Sequence, residues 1–145
     1  MILQDFIFPM KISVKYGFYT ATVVVSWMLL GYFFNLENTF GRNAGMLGLI
    51  FYAIGIFFSI KHTFEKEMTT RPADPRLLLK AGLITSLFVS LSYCIFIFVI
   101  TELIGKVNAP VGNKVMGLLS LFIMNLLAGG LFSVILAFYY SRKAD

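Results

Sequence analysis

Four long stretches without a charged residue constrain this chain more than any other feature of its sequence. They cover residues 16–36, 43–60, 81–101 and 115–141, and are 21, 18, 21 and 27 residues long. A helix needs about 20 apolar residues to cross the core of a bilayer. Only 13% of the 145 residues are charged and 59% are hydrophobic, whereas soluble domains carry about 25% charged residues. The sequence therefore predicts an integral membrane protein.

The spacing of these stretches predicts a single all-α domain, residues 1–145, built as a bundle of four transmembrane helices. We expect the helices at about residues 14–36, 43–61, 75–104 and 114–141, with a polar connector over residues 61–76. Strands of a membrane β-barrel would alternate apolar and polar residues over about 10 positions, and no segment does so. The best-marked boundary is ADPRLLLKAG, where Asp74 is predicted to cap a helix that starts at Pro75.

Lysine and arginine are distributed unequally between the two predicted membrane faces. One face carries nine of them: Lys11, Lys15, Lys61, Lys66, Arg71, Arg76, Lys80, Arg142 and Lys143. The other face carries three: Arg42, Lys106 and Lys114. Because positive residues favour cytoplasmic loops, we expect both termini in the cytoplasm. The charges follow the membrane edges and form no basic stripe, so no nucleic-acid partner is expected.

Small residues recur on the predicted helices, often four positions apart. They let helix backbones approach closely in a lipid environment, so we predict that the following residues lie on packing faces: Gly45, Gly48, Gly82, Ser86, Ser90, Gly129 and Ser133. Near the estimated bilayer centre each helix carries a polar or amphipathic side chain: Ser26 and Trp27, Tyr52, Ser90 with Tyr93, and Asn125. These side chains could form hydrogen bonds between helices or line a polar layer that binds a substrate or ion. A transport site would be expected to include Asp, Glu, Lys, Arg or His, and none of these lies in the four stretches, so hydrogen bonds are favoured.

The connector contains the only histidine of the chain, His62. His62 and Glu65 are three residues apart and can face the same direction on a helix, but a metal site normally takes three or four protein ligands. The connector is better explained as a solvated segment that contacts lipid headgroups or a cytoplasmic partner. The residues expected to make these contacts are His62, Arg71, Arg76 and Lys80.

Several kinds of chemistry lack the side chains they need. The single cysteine, Cys94, excludes an intramolecular disulfide and dithiol exchange. One histidine cannot supply a pair of axial haem ligands. Proton-coupled transport would favour a carboxylate inside the membrane, and none lies in the uncharged stretches. The sequence therefore predicts no enzyme activity, no metal and no cofactor.

Four segments of the sequence, KYGFYTATVVVSW, SIKHTFEKEM, LLLKAGLITSLFVSLSY and AGGLFSVILAFYYSRK, carry a family resemblance. The chain resembles an uncharacterised family of small four-helix inner-membrane proteins of Bacteroidota, catalogued as a domain of unknown function. The resemblance includes a Lys-x-Gly step at Lys80-Ala81-Gly82, whereas RPADP stands where the family has glycines in the connector. It implies a multi-pass protein of the bacterial inner membrane and implies no activity.

Two functions remain as hypotheses. The first is a non-catalytic accessory or scaffold subunit that packs against another inner-membrane protein, because the small-residue faces exceed what four short helices need. The alternative is a small homo-oligomeric transporter or channel, because four helices seldom enclose a pathway unless copies assemble. Membrane lipids are expected partners under both hypotheses.

Overall fold

The computed structural model describes residues 2–34, 43–69, 74–104 and 111–143. These ranges form four helices, α1 (Ile2–Phe33), α2 (Asn43–Glu67), α3 (Pro75–Ile104) and α4 (Val111–Lys143), and contain no strand. The predicted all-α class is confirmed. Within the described ranges, three segments are long and apolar enough to cross a membrane: Leu47–Glu67, Pro75–Glu102 and Asn113–Lys143. The predicted span in α1 is not among these three.

Three helices are longer than the sequence predicted, and α4 runs from Val111 to Lys143 instead of about 114–141. α1 begins at Ile2 instead of near residue 14, and α2 continues beyond residue 61 to Glu67. Side-chain pairs support the extension of α2, because Glu65 lies 3.7 Å from Lys61 Nζ and 3.8 Å from His62 Nδ1. Each exposed pair of this spacing contributes only about 0.2–0.5 kcal/mol. The first part of the predicted connector is therefore a helical extension.

The start of α3 shows the capping geometry that the sequence predicted. The Arg76 amide donates a hydrogen bond to Asp74 Oδ1 at 2.9 Å, and the Leu77 amide donates to the Asp74 carbonyl oxygen at 3.0 Å. Pro75 is the first helical residue, a position where the missing amide hydrogen costs nothing. The predicted cap at Asp74 is confirmed.

The helices are arranged with α2 and α3 as a central pair. α1 and α4 each pack against both central helices, and the described parts of α1 and α4 do not contact each other. Residues brought together between successive helices show that these run antiparallel, as with Thr20 against Gly55 and Glu102 against Lys114. The bundle therefore has a rhombic cross-section with α1 and α4 at the far corners.

The outer surface of this bundle is apolar, and its apolar core also contains buried hydroxyls. Every buried polar side chain in the described ranges is a hydroxyl: Ser13, Thr20, Ser59, Thr63, Thr85, Ser86, Ser90 and Ser133. The outer surface carries large apolar side chains, among them Phe18 and Phe138, whereas a soluble bundle turns its apolar side chains inward. This distribution fits a protein surrounded by lipid.

Charged residues mark the two ends of the bundle. One end, the basic end, carries eight described cations: Lys11, Lys15, Lys61, Lys66, Arg76, Lys80, Arg142 and Lys143. At the opposite end, Lys114 Nζ lies 3.0 Å from Glu102 Oε1 and joins α3 to α4. The difference in charge distinguishes the two ends.

Candidate functional site

The closest contact between α3 and α4 is made by glycines facing serines. An ideal Cβ on Gly82 would lie 2.6 Å from Ser133 Cβ, and one on Gly129 would lie 2.7 Å from Ser86 Cβ. Real Cβ contacts essentially never fall below 3.0 Å, so neither glycine can carry a side chain unless the helices move apart. Four of the predicted packing residues therefore meet at one interface.

Two further glycines allow α1 to approach the central pair. An ideal Cβ on Gly17 would lie 2.8 Å from Phe88 Cβ, and one on Gly55 would lie 2.7 Å from Thr20 Cβ. At the predicted packing residue Gly48 the nearest atom is Trp27 Cδ1 at 3.9 Å, an ordinary contact. The tightest contacts of α2 are therefore made at Gly55. Gly45 lies outside the described side-chain contacts.

A hydrogen-bonded cluster lies where α2, α3 and α4 meet. The Tyr52 hydroxyl donates to the Asn125 carbonyl oxygen at 3.0 Å and lies 2.5 Å from Ser86 Oγ. Asn125 thus enters the cluster through its backbone, although the sequence pointed to its side chain. We call Tyr52, Ser86, Ser90 and Asn125 the central hydroxyl cluster.

Ser90 differs from the other members of this cluster in its hydrogen bonding. Its side chain is fully buried, and its Oγ has no hydrogen-bond partner in the described part of the chain. It lies near the Tyr52 hydroxyl but outside hydrogen-bonding geometry. Leaving a buried hydroxyl unsatisfied costs about 1–3 kcal/mol. The cluster therefore retains hydrogen-bonding capacity that the bundle does not use.

A second group of hydroxyls joins α1, α2 and α3. The Thr85 hydroxyl lies 2.8 Å from Ser59 Oγ, 3.0 Å from the Ala81 carbonyl oxygen and 3.2 Å from the Ser13 carbonyl oxygen. It has one proton to share among them. Thr63 adds a bond to the Ser59 carbonyl oxygen at 2.8 Å. We call Ser13, Ser59, Thr63 and Thr85 the Thr85 cluster.

Sequence reasoning had placed Tyr52 among the polar residues near the bilayer centre, but it had omitted Thr85, which holds the second cluster together. Thr85 and Ser86 are adjacent in sequence and about 100° apart around α3, so Thr85 reaches α1 and Ser86 faces α4. A pair of adjacent hydroxyls inside an apolar stretch was the available signal for Thr85.

The other predicted residues lie apart from these clusters. Tyr93 is partly buried and packs against the apolar core. The His62 ring is exposed and lies 5.7 Å from the Tyr16 ring, between centroids. Arg76 is exposed in the first turn of α3, Lys80 is half-buried one turn later, and Arg71 lies outside the described residues.

Among the described residues, no three His, Cys, Asp or Glu side chains are grouped so that they could hold a metal ion. Neither a protein-family model nor a curated protein nor a solved structure matches this chain. Its function is therefore inferred from the contacts within the chain.

Proposed function

We propose that this protein is a non-catalytic accessory or scaffold subunit that packs against another integral membrane protein. The observation that carries this function is the outer face of α4, which no described part of the bundle covers. Its large side chains recur every three or four residues from Met124 to Phe138, with Met116 eight residues before Met124, and are 63% to 70% exposed; they are Met116, Met124, Leu127, Leu131, Ile135 and Phe138. We call these residues the outer α4 stripe.

Lipid chains alone can cover such a stripe, but its first half has a further property that favours a protein helix. Gly117 has no atom within 4 Å of the place where a Cβ would stand, and Ser120 is exposed one turn later. Small residues of this kind let a second helix approach closely and gain dispersion contacts. Met116 and Met124 flank them, and methionine adapts its shape to an irregular partner.

The small residues inside the bundle support a different role. Gly82 and Gly129 are already occupied by serines of the facing helix, so those faces hold the chain's own helices together. Among the glycines of α4 whose surroundings the structure describes, Gly117 is the one with open space beside it. A partner helix would therefore meet the bundle at Gly117 and Ser120.

The proposal includes four membrane spans with both termini in the cytoplasm of a bacterium. α1 lies alongside α2 at two levels, with Thr20 at Gly55 and the Trp27 ring 5.7 Å from the Phe51 ring. A helix held in this way crosses the membrane together with α2, which supports a fourth span. The cations at the basic end support the cytoplasmic location of the termini.

The experiment is affinity purification of the tagged full chain from its native membrane in a mild detergent, with mass spectrometry and stoichiometry of the proteins retained. We expect one membrane protein at a fixed ratio, and we expect Gly117→Leu to lose it. Leu91→Phe, which enlarges an exposed residue of α3, is the matched control and should retain it. A complex that Gly117→Leu leaves intact would refute the α4 interface. A homo-oligomer without a partner would favour the transporter hypothesis.

A further inference from the structure

Burial stops at one level across the bundle. Among the side chains that the structure describes, none is buried beyond Val24 in α1 or beyond Ser90 in α3. In α2 and α4, which run in the opposite direction, none of the described side chains is buried before Tyr52 or Gly129. We call the remaining residues, 25–34, 47–51, 91–102 and 113–128, the open half. Its inner side chains are only partly covered.

The central hydroxyl cluster lies at this boundary, so it forms the floor of the open half. Ser86, Ser90 and Cys94 occupy successive turns on one face of α3. Ser90 is buried without a hydrogen-bond partner in the described part of the chain. One turn further, Cys94 is partly exposed and its Sγ lies 3.6 Å from the Leu118 carbonyl oxygen of α4. Cys94 thus lies between Ser90 and the rest of the open half, where α3 and α4 meet.

The walls above this floor are apolar and aromatic. Tyr93, Phe96 and Phe122 are each partly exposed. The nearest described charges on α3 and α4 toward the opposite end are Glu102 and Lys114, which are paired with each other at 3.0 Å. Glu102 is 12 residues beyond Ser90, which corresponds to about 18 Å along a helix. No counter-ion within the described ranges of these helices lies beside the floor.

We propose that the open half binds a lipid-soluble molecule that has an uncharged, hydrogen-bonding head. The head supplies the partner that Ser90 lacks and contacts the partly exposed Asn125. The apolar remainder lies along Cys94 and the aromatic walls. A charged head is disfavoured because a charge inside the membrane without a counter-ion is costly. A hydrocarbon without a head would leave the Ser90 hydroxyl unsatisfied.

The proposal is tested by photolabelling the full-length protein in phosphatidylcholine nanodiscs. The probe is a hexadecanol analogue with a diazirine near the hydroxyl end, and adducts are mapped by peptide mass spectrometry. We expect adducts within residues 91–97 and 118–125. Excess hexadecanol should remove most of the labelling, whereas hexadecane and palmitate should remove little. Hexadecane tests whether an apolar chain alone is bound, and palmitate tests whether a charged head is accepted.

Two variants test the floor directly. Ser90→Ala and Asn125→Leu should each reduce labelling of the open half several-fold, and Ser92→Ala, a matched change on another face of α3, should not. Ser90→Ala removes a single buried atom, so it keeps the test valid if Asn125→Leu folds poorly. Equal competition by hexadecane, labelling confined to the outer α4 stripe, or unchanged labelling of Ser90→Ala would each overturn the proposal.

Discussion

Gly82 and Ser133 face each other across α3 and α4 at a distance that excludes any side chain on the glycine. An ideal Cβ at position 82 would lie 2.6 Å from Ser133 Cβ and 2.9 Å from Ile60 Cδ1 of α2. The same position therefore fixes the approach of three helices. Ser133 donates its hydroxyl to the Gly129 carbonyl oxygen of its own helix at 2.6 Å, and its Oγ is the atom nearest to the place that a Gly82 Cβ would take.

We expect Gly82→Ala to lower the free energy of unfolding by about 1–3 kcal/mol, because an added methyl overpacks a contact with no free space. The free energy is measured by titration with a denaturing detergent in mixed micelles. Gly117→Ala adds the same methyl where no atom lies within 4 Å, so it should change stability by less than about 0.5 kcal/mol. Equal stability of the two variants would contradict the close approach of α3 and α4.

Removing one oxygen atom tests the central hydroxyl cluster. Tyr52→Phe keeps the ring but leaves Ser86 Oγ and the Asn125 carbonyl oxygen without the hydroxyl between them. Hydrogen bonds between membrane helices contribute about 0.6 kcal/mol on average and up to about 1.7, and we expect a loss in the upper part of this range because the site is buried. The same detergent titration measures it.

Tyr19→Phe is the matched control for that change. The Tyr19 ring is exposed on α1, with Lys15 Nζ 5.8 Å from the ring centroid. Losing its hydroxyl should leave the free energy of unfolding unchanged within about 0.5 kcal/mol. If both variants lose the same free energy of unfolding, the hydrogen bonds from Tyr52 to Ser86 and Asn125 do not stabilise the bundle.

Helix positions and packing faces could be predicted from this sequence more readily than helix contacts. The start of α3 at Pro75 follows from local chemistry, because Asp74 and Pro75 act within one turn. Spacing four places Gly82 and Ser86 on one face whatever surrounds the helix. The neighbour that this face meets depends on the rotation and tilt of a second helix, which no local pattern specifies. For that reason Asn125 was predicted to take part through its side chain, whereas its backbone oxygen makes the contact with Tyr52.

The extension of α2 illustrates the same limit in the polar part of the chain. The change from apolar to charged residues at Lys61 marks where the membrane-embedded segment is expected to end. It does not mark where the helix ends. The helix continues until Glu67 because no glycine or proline interrupts it there. Hydropathy therefore predicted the length of the apolar segment but underestimated the length of α2.

A hydroxyl-to-methyl exchange tests the Thr85 cluster. Thr85→Val keeps the branched shape but removes the proton shared among Ser59 Oγ and the carbonyl oxygens of Ala81 and Ser13. We expect a loss of about 1–2 kcal/mol in the free energy of unfolding, because Ser59 and Thr85 are both fully buried. Thr22→Val removes an exposed hydroxyl that bonds the Phe18 carbonyl oxygen at 2.9 Å, and should cost less than about 0.5 kcal/mol.

The orientation in the membrane is tested by labelling single cysteines in intact cells and in inside-out membrane vesicles. Cys94 is the only cysteine, so Cys94→Ala gives a background without a thiol. Glu65→Cys places a thiol on the exposed part of α2 at the basic end, and Glu102→Cys places one at the opposite end, where Glu102 is also exposed. A maleimide that cannot cross the membrane is the reagent.

We expect the Glu65→Cys variant to react in inside-out vesicles and not in intact cells, because the eight cations of its end favour the cytoplasm. The Glu102→Cys variant should react in intact cells and not in inside-out vesicles. In a bacterium with an outer membrane, that membrane is permeabilised first so that the reagent can enter. Reaction of both variants from the same side would show that α3, which lies between these residues, does not cross the bilayer. Reversal of both patterns would keep the spans and place the basic end outside.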